Sequence, residues 1–79
     1  MDLTQLEAGT TACIVDIYGG YAVRHKLELI GILPGKTVKK VSQALMRGPV
    51  VIALGTMQLA LGRGMAQKIL VKQVDTEAV

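Results

Sequence analysis

The chain has 79 residues and a formal net charge of +3, with a pI near 9.3. Aromatic residues make up only 3%, with no Trp and no Phe, so the core has to be built from Val, Ile, Leu, Met and Ala. The length allows one domain, residues 1–79. This basic excess is mild, far from that of a polybasic tail, and it allows an acidic protein partner or weak nucleic-acid contact without predicting either. Because Cys13 is the only cysteine, neither an internal disulfide nor a four-thiolate zinc site can form.

Nothing in the sequence indicates export or insertion into a membrane. No apolar run approaches the ~18 residues that span a bilayer. The N-terminus carries Asp2 and Glu7 and lacks the basic region and apolar stretch of a signal peptide. We therefore expect a soluble, cytoplasmic protein with no direct membrane insertion.

Short apolar runs separated by Gly and Pro predict a mostly β chain. Five strands are expected at residues 10–18, 36–43, 50–54, 57–61 and 68–74. In the first strand, Cys13, Val15 and Ile17 should share one face, and apolar groups on both faces indicate a central position. In the second, Val38 and Val41 would lie on opposite faces of a regular strand, so a bulge is expected there.

One helix is expected at residues 21–30, inserted after the first strand. Val23, Leu27 and Ile30 fall at i, i+4 and i+7, which places them in one apolar stripe. Gly31 follows at the position where a helix end commonly requires a positive φ. Asp16, just before the helix, should point to solvent or meet a basic neighbour.

Turn-forming residues separate these elements. They are Gly31, Pro34, Gly35, Gly48, Pro49 and Gly55. Pro34-Gly35 suits a type II turn, and Gly55 suits a type II′ hairpin turn. Residues 62–67 should turn, with room for a single turn of helix, and residues 75–79 should fray. A short sheet with one helix over an end must curl to bury both faces, which predicts a small SH3-like five-stranded barrel with one inserted α-helix.

Residues for catalysis or metal binding are few. Cys13 and His25 are the only nucleophile and base that could pair, and a mid-strand thiol usually packs as a small hydrophobe. We therefore expect no enzyme activity, no catalytic residues and no cofactor. His25 and Glu28, three apart on the predicted helix, could reach one ion with Asp16 as a third ligand. Two ligands do not close a site, so a weak metal-sensing module is only an alternative.

Basic residues cluster near the second strand and the loop after it. They are Lys36, Lys39, Lys40 and Arg47. Small barrels that bind single-stranded nucleic acid combine such a groove with stacking aromatic residues, which this region lacks. We interpret the lysines as a solvated strand face that protects an edge from aggregation. A nucleic-acid partner is the other alternative.

Three apolar residues, Leu33, Leu45 and Met46, fall in predicted loops. They either fold back over the core as lids or form a docking patch, for which methionine is well suited. The candidate partner-binding residues are Arg24, Lys26, Leu33, Met46 and Arg47.

Several short motifs together carry a family resemblance. They are Leu3-x-x-Leu6-x-x-Gly9, Leu27-x-x-Ile30-Gly31-x-x-Pro34-Gly35-x-x-Val38, Gly48-Pro49-Val50, Ala60-Leu61 and Ala66-x-x-Ile69-x-Val71. As a set they resemble the FeoA family of ferrous-iron transport accessory proteins, from Leu3 to about Val74. The chain departs from the family pattern at Ala8, often Pro, and at Gly62, where a basic residue is common.

The resemblance implies an SH3-like cytoplasmic module of a prokaryotic cell, concerned with iron as a transition metal. It implies a non-enzymatic accessory protein of ferrous iron uptake. The expected partner is a FeoB-type membrane iron transporter, contacted through its GTPase-containing cytosolic domain. The resemblance leaves open whether the protein forms a homo-oligomer. The family has no agreed catalytic residues, so the resemblance assigns none here.

Overall fold

Five strands and two helices make up the described part of the chain. The structure is a computed structural model and describes residues 1–46 and 48–74. The elements are β1 Thr11–Ile17, α1 Tyr21–Leu29, β2 Thr37–Gln43, β3 Val50–Leu54, β4 Met57–Leu61, α2 Arg63–Ala66 and β5 Ile69–Gln73. The predicted mostly β fold, with a helix after the first strand, is confirmed; α2 fills the predicted turn. Arg47 and the fraying predicted for residues 75–79 lie outside the described residues.

The strands form one antiparallel sheet in the order β4-β3-β2-β1-β5. As predicted, β1 is flanked on both sides: Cys13 lies opposite Thr37 of β2, and Ile14 lies opposite Val71 of β5. Among residues 1–46 and 48–74 no ladder joins β4 to β5, so the barrel is curled without being strictly closed. Neither helix in this part of the chain is long and apolar enough to cross a membrane.

The N-terminal segment covers the outer edge of β5. The Leu3 amide donates to the Ile69 carbonyl at 3.1 Å, and the Val71 amide donates to the Met1 carbonyl at 2.8 Å. Asp2 forms an isolated bridge with Leu70. The backbone groups on this side of β5 are therefore used within the chain.

A bulge in β1 overturns the predicted faces of that strand. The pairing of β1 with β5 shifts register between Ile14 and Asp16, so Val15 is an extra residue. The extra residue shifts the alternation of the strand by one position, so the inward-facing side chain after Ile14 is Ile17 and not residue 16. Ile17 is therefore buried, while Val15 is 54% exposed. The prediction that Val15 and Ile17 share a face is therefore wrong.

The bulge predicted for β2 is present, between Lys40 and Ser42. It does not bring both valines to the core, because Val38 is buried and Val41 is 38% exposed. The side chain that follows Val38 on the inner face is Lys40. The alternation of the strand therefore carries a lysine into the interior.

The core is aliphatic. Its buried members are Leu3, Leu6, Ala12, Ile14, Ile17, Leu27, Ile32, Val38, Val50, Ile52, Leu61, Ala66, Ile69 and Val71. Helix α1 contributes only Leu27 to this cluster, with Val23 packed partly against it. Ile30, predicted to complete the stripe, is 37% exposed, and Ile32 takes the inward place instead.

The end of α1 explains this exchange. Gly31 has φ +92°, its amide donates to the Glu28 carbonyl at 3.0 Å, and the Ile32 amide donates to the Leu27 carbonyl at 2.9 Å. These two bonds form a Schellman motif, which reverses the chain and brings the residue after the glycine back against the last turn. Leu27 and Ile32 are consequently both buried.

Two further turns set the strand connections. The Lys36 amide donates to the Leu33 carbonyl at 3.2 Å across Pro34-Gly35, and Gly35 has φ +94°, as a type II turn requires. Gly55 has φ +63° between β3 and β4, which suits the first central position of a type II′ turn. The longer β2–β3 loop is closed by the Ala44 amide, which donates to the Pro49 carbonyl at 3.2 Å.

Candidate functional site

The outer face of α1 is an exposed aromatic and aliphatic stripe. Tyr21, His25 and Leu29 are spaced four residues apart and so share one side of the helix. Tyr21 is 79% exposed and Leu29 is 73% exposed. The rings of Tyr21 and His25 stack with centroids 5.4 Å apart and planes 9° apart. An exposed apolar surface of this kind commonly marks a contact with another molecule; we call Tyr21, His25 and Leu29 the α1 stripe.

Arg24 ties α1 to the end of β1. Its Nη1 atom donates to the Ile17 carbonyl at 3.2 Å and lies 3.9 Å from Asp16 Oδ1. Asp16 thus meets a basic neighbour, one of the two outcomes expected for it. Both side chains of the pair are about half exposed, so the ion pair adds little stability. Lys26 is exposed on the same helix.

The metal-ligand set considered for α1 is not assembled in the described residues. Asp16 Oδ1 accepts a hydrogen bond from the Ile17 amide at 2.8 Å and faces Arg24. His25 stacks on Tyr21. Across residues 1–46 and 48–74, no group of three or more His, Cys, Asp and Glu side chains is placed to hold an ion. Asp16 is therefore not gathered with His25 and Glu28.

The loop residues behave differently from one another. Leu33 is half-buried beside the type II turn, whereas Leu45 and Met46 are 89% and 95% exposed. Leu45 and Met46 are therefore not lids on the core. Met46 also has φ +61°, a left-handed conformation that is uncommon outside glycine. Arg47, the next candidate contact residue, lies outside the part of the chain that is described.

The strand register separates the two predicted parts of the contact surface. The loop that carries Met46 joins β2 to β3 where Gln43 lies opposite Val50. Leu54 is at the other end of β3, next to Gly31 at the end of α1. Met46 therefore lies at the opposite end of the β2–β3 ladder from the helix terminus.

A shallow groove lies between the end of α1 and the β3–β4 turn. It measures about 310 Å³ and is lined by Gly31, Lys36, Thr37, Leu54 and Gly55. Lys36 is the one titratable side chain in this lining. The groove therefore presents an apolar floor beside a single positive charge, without a neighbouring base or acid.

Lys40 is the buried exception among the basic residues, and the prediction that it belongs to a solvated strand face is wrong. Its residue surface is only 2% exposed. Its Nζ atom donates hydrogen bonds to the Thr4 carbonyl at 3.1 Å, to the Leu6 carbonyl at 2.6 Å, and to the Gln43 side-chain oxygen. The ammonium group thus ties the N-terminal segment to β2 and does not face a partner.

The basic face needed for nucleic-acid binding is correspondingly smaller. Lys36 and Lys39 are exposed, but Lys40 is buried, and Arg47 is outside the described residues. The exposed Tyr21 lies on α1, stacked on a histidine of the same helix. Tyr21 is therefore not interleaved with the lysines of β2.

Burial lowers the pKa of Lys40 from the usual value of 10.5, because desolvation disfavours the ammonium form; Asp2 opposes this shift and Arg63 adds to it. Between the folded and unfolded pKa values, the unfolded chain binds more protons, so stability rises with pH there. We expect the free energy of unfolding of the parent, measured against a Lys40→Met variant by chemical denaturation, to increase as the pH is raised through the range just below 10.5. A difference between the two proteins that does not change with pH would contradict the assigned penalty.

Known proteins share both the fold and the sequence pattern. A crystal structure of an iron uptake regulatory protein, FeoA, superposes with a TM-score of 0.86 at 31% identity, covering 94% of this chain and 97% of that one. The solution structure of FeoA from Chlorobium tepidum gives 0.85 at 28% identity, covering 95% and 71%. The zinc complex of FeoA from Stenotrophomonas maltophilia gives 0.73 at 24% identity, covering 91% and 89%, and is described as a prokaryotic SH3 domain protein. No curated protein matches the chain.

The fold is therefore that of a small SH3-like domain, as predicted. The family model of the FeoA domain matches residues 1–73, which is nearly the whole chain. The chain belongs to the FeoA family.

Proposed function

We propose that this protein is a non-enzymatic accessory protein of ferrous iron uptake, which works by contact with the cytosolic part of a FeoB-type transporter. Membership of the FeoA family and the similarity to an iron uptake regulatory protein support the role. The observation that supports this mode of action is the small number of buried side chains on α1. A nine-residue helix that buries one side chain leaves its remaining surface for another molecule.

The proposed contact surface is centred on α1. The α1 stripe supplies exposed apolar area, and Lys26 supplies charge beside it. Arg24 holds the helix to the carbonyl of Ile17, so the surface is presented by an element that is fastened at its first turns. The Schellman motif at Gly31 fastens the other end.

Leu33 extends this surface beyond the end of α1, where it is half-buried. Met46 and Arg47 belong to the β2–β3 loop, so their contribution is a second, separate contact. The FeoB-type cytosolic domain would have to reach both ends of the β2–β3 ladder to use the two together. This separation allows each part to be tested alone.

Capture by the purified cytosolic domain of a FeoB-type transporter tests the helix. We expect Leu29→Asp and Lys26→Glu each to weaken capture by about tenfold, since each alters the exposed α1 surface and a change of 1.4 kcal/mol is tenfold. Lys72→Glu is the matched control, because Lys72 is an exposed lysine on β5. Melting temperatures should be unchanged, since all three side chains are exposed.

Met46→Asp, measured in the same way, tests the loop. Loss of capture in this variant alone would move the contact to the β2–β3 loop. Full capture of Leu29→Asp, Lys26→Glu and Met46→Asp, equal to that of the Lys72→Glu control, would overturn the proposed surface.

A further inference from the structure

Strand β4 ends the sheet with an outer edge that has no partner among residues 1–46 and 48–74. The sheet order places β4 beside β3 only. No backbone hydrogen bond outside the β3–β4 ladder reaches Met57–Leu61 from that part of the chain. The other terminal strand, β5, is covered by the N-terminal segment. Within the described ranges, one edge strand is thus left without a partner.

The outward backbone groups of β4 follow from its hairpin. Leu54 lies opposite Met57 across a two-residue turn, and such a closing pair exchanges both its hydrogen bonds. Alternation along the ladder then leaves the amide and carbonyl groups of Gln58 and Ala60 pointing away from β3. An extended segment laid beside β4 would find two donors and two acceptors at the spacing of a strand.

This edge lacks the features that normally keep strands apart. The sequence of β4 is Met-Gln-Leu-Ala-Leu, with no charge, no proline and no bulge. Met57 is 45% exposed and Leu59 is only partly buried, both on the core side of the strand. An added strand would therefore bury apolar surface as well as satisfy backbone groups.

Charge indicates what kind of segment fits. No Asp or Glu occurs between Leu29 and Val74, a stretch that includes β2, β3 and β4. The basic residues there are Lys36, Lys39, Lys40, Arg47, Arg63, Lys68 and Lys72. Lys40 is buried, but Lys36, Lys39, Lys68 and Lys72 are exposed, so a second copy would bring like charges together, whereas an acidic segment would be attracted.

We propose that the open edge of β4 binds an extended, acidic segment of a partner protein by β-strand addition, through the outward backbone groups of Gln58 and Ala60. Apolar residues of the segment would cover Met57 and Leu59, and its alternate acidic residues would lie on the outer face, on the same side as Lys39. Main-chain bonds supply affinity in this mode, and side-chain pattern supplies specificity. The site is distinct from the α1 surface and does not depend on the identity of the transporter.

The test uses the full chain and a blocked seven-residue peptide that alternates glutamate and valine. We expect saturable binding by calorimetry, with slowed amide exchange at Gln58 and Ala60. Ala60→Pro removes an outward amide without breaking a β3–β4 bond, and should weaken binding by about tenfold, as does loss of a hydrogen bond worth about 1.4 kcal/mol. Gln58→Glu should weaken it by repulsion and leaves the backbone unchanged, so it decides the question if Ala60→Pro fails to fold.

Three results would overturn the proposal. One is equal binding of a peptide with proline at its centre, which would show attraction by charge alone. Another is equal binding of the peptide with lysine in place of glutamate. The third is concentration-dependent dimerisation that Ala60→Pro abolishes, which would assign the edge to a second copy. Any of these three results would overturn strand addition at β4 without affecting the proposed contact through α1.

Discussion

Replacing Lys40 with methionine should lower the free energy of unfolding by about 2–4 kcal/mol, since it leaves one buried and one part-buried carbonyl group without this donor, each costing about 1–3 kcal/mol. The carbonyls are those of Thr4 and Leu6, which both accept from Nζ. Methionine has a similar length and removes the cost of burying a charge, so the loss is smaller than the sum of two full penalties. Urea denaturation followed by circular dichroism measures the change.

Lys39→Met is the matched control, because it makes the same change at the neighbouring position of β2. Lys39 is exposed, so we expect an effect within about 0.5 kcal/mol. Lys40→Arg keeps donors at the site and should recover part of the loss. Equal stability of the Lys39 and Lys40 variants would show that the bonds to the N-terminal segment contribute nothing.

Gly31→Val should be comparably damaging, with a loss of about 2–4 kcal/mol from backbone strain and a steric clash together. Gly31 has φ +92°, a conformation that a β-branched residue resists strongly. A Cβ at this position would stand 3.0 Å from Leu54 Cδ2, closer than a relaxed contact. The substitution would therefore disturb both the end of α1 and its packing on the end of β3.

Two other glycines separate these causes. Gly35 also has a positive φ, at +94°, but an added Cβ meets nothing within 4 Å, so Gly35→Ala should cost only the strain, about 1 kcal/mol. Gly64 lies in α2 without a positive φ and with open space, so Gly64→Ala should be neutral or slightly stabilising. A melting temperature for Gly31→Val equal to that of Gly64→Ala would refute the argument.

The positions of the strands and turns could be read from the sequence because each depends on local chemistry. An apolar run of five residues between Pro49 and Gly55 marks β3, and the alternation of Met57, Leu59 and Leu61 marks β4; both observed strands have the predicted bounds. Two valines three residues apart in β2 indicated a bulge, and the register shift is there. Resemblance to the FeoA family, based on the spacing of aliphatic, Gly and Pro residues in several short motifs, indicated the same barrel.

The arrangement of the site could not be read in the same way, because it depends on contacts between distant segments. Lys40 is two positions after the buried Val38, so strand alternation placed it inside, but its carbonyl partners lie 34 and 36 residues away. The bulge at Val15 likewise appears only in the pairing of β1 with β5. The open edge of β4 became visible only with the sheet order.

Because α1 buries so few side chains, its sequence can change more freely than that of the strands. Leu27 is its only buried side chain, and the rest of the buried core comes from the strands, the N-terminal segment, Ile32 and Ala66. Substitutions across most of the helix therefore carry little cost to folding, so a recognition surface there can be retuned to a new partner while the scaffold stays the same. With the proposed contact through α1, folding and partner choice would be encoded by largely separate sets of residues.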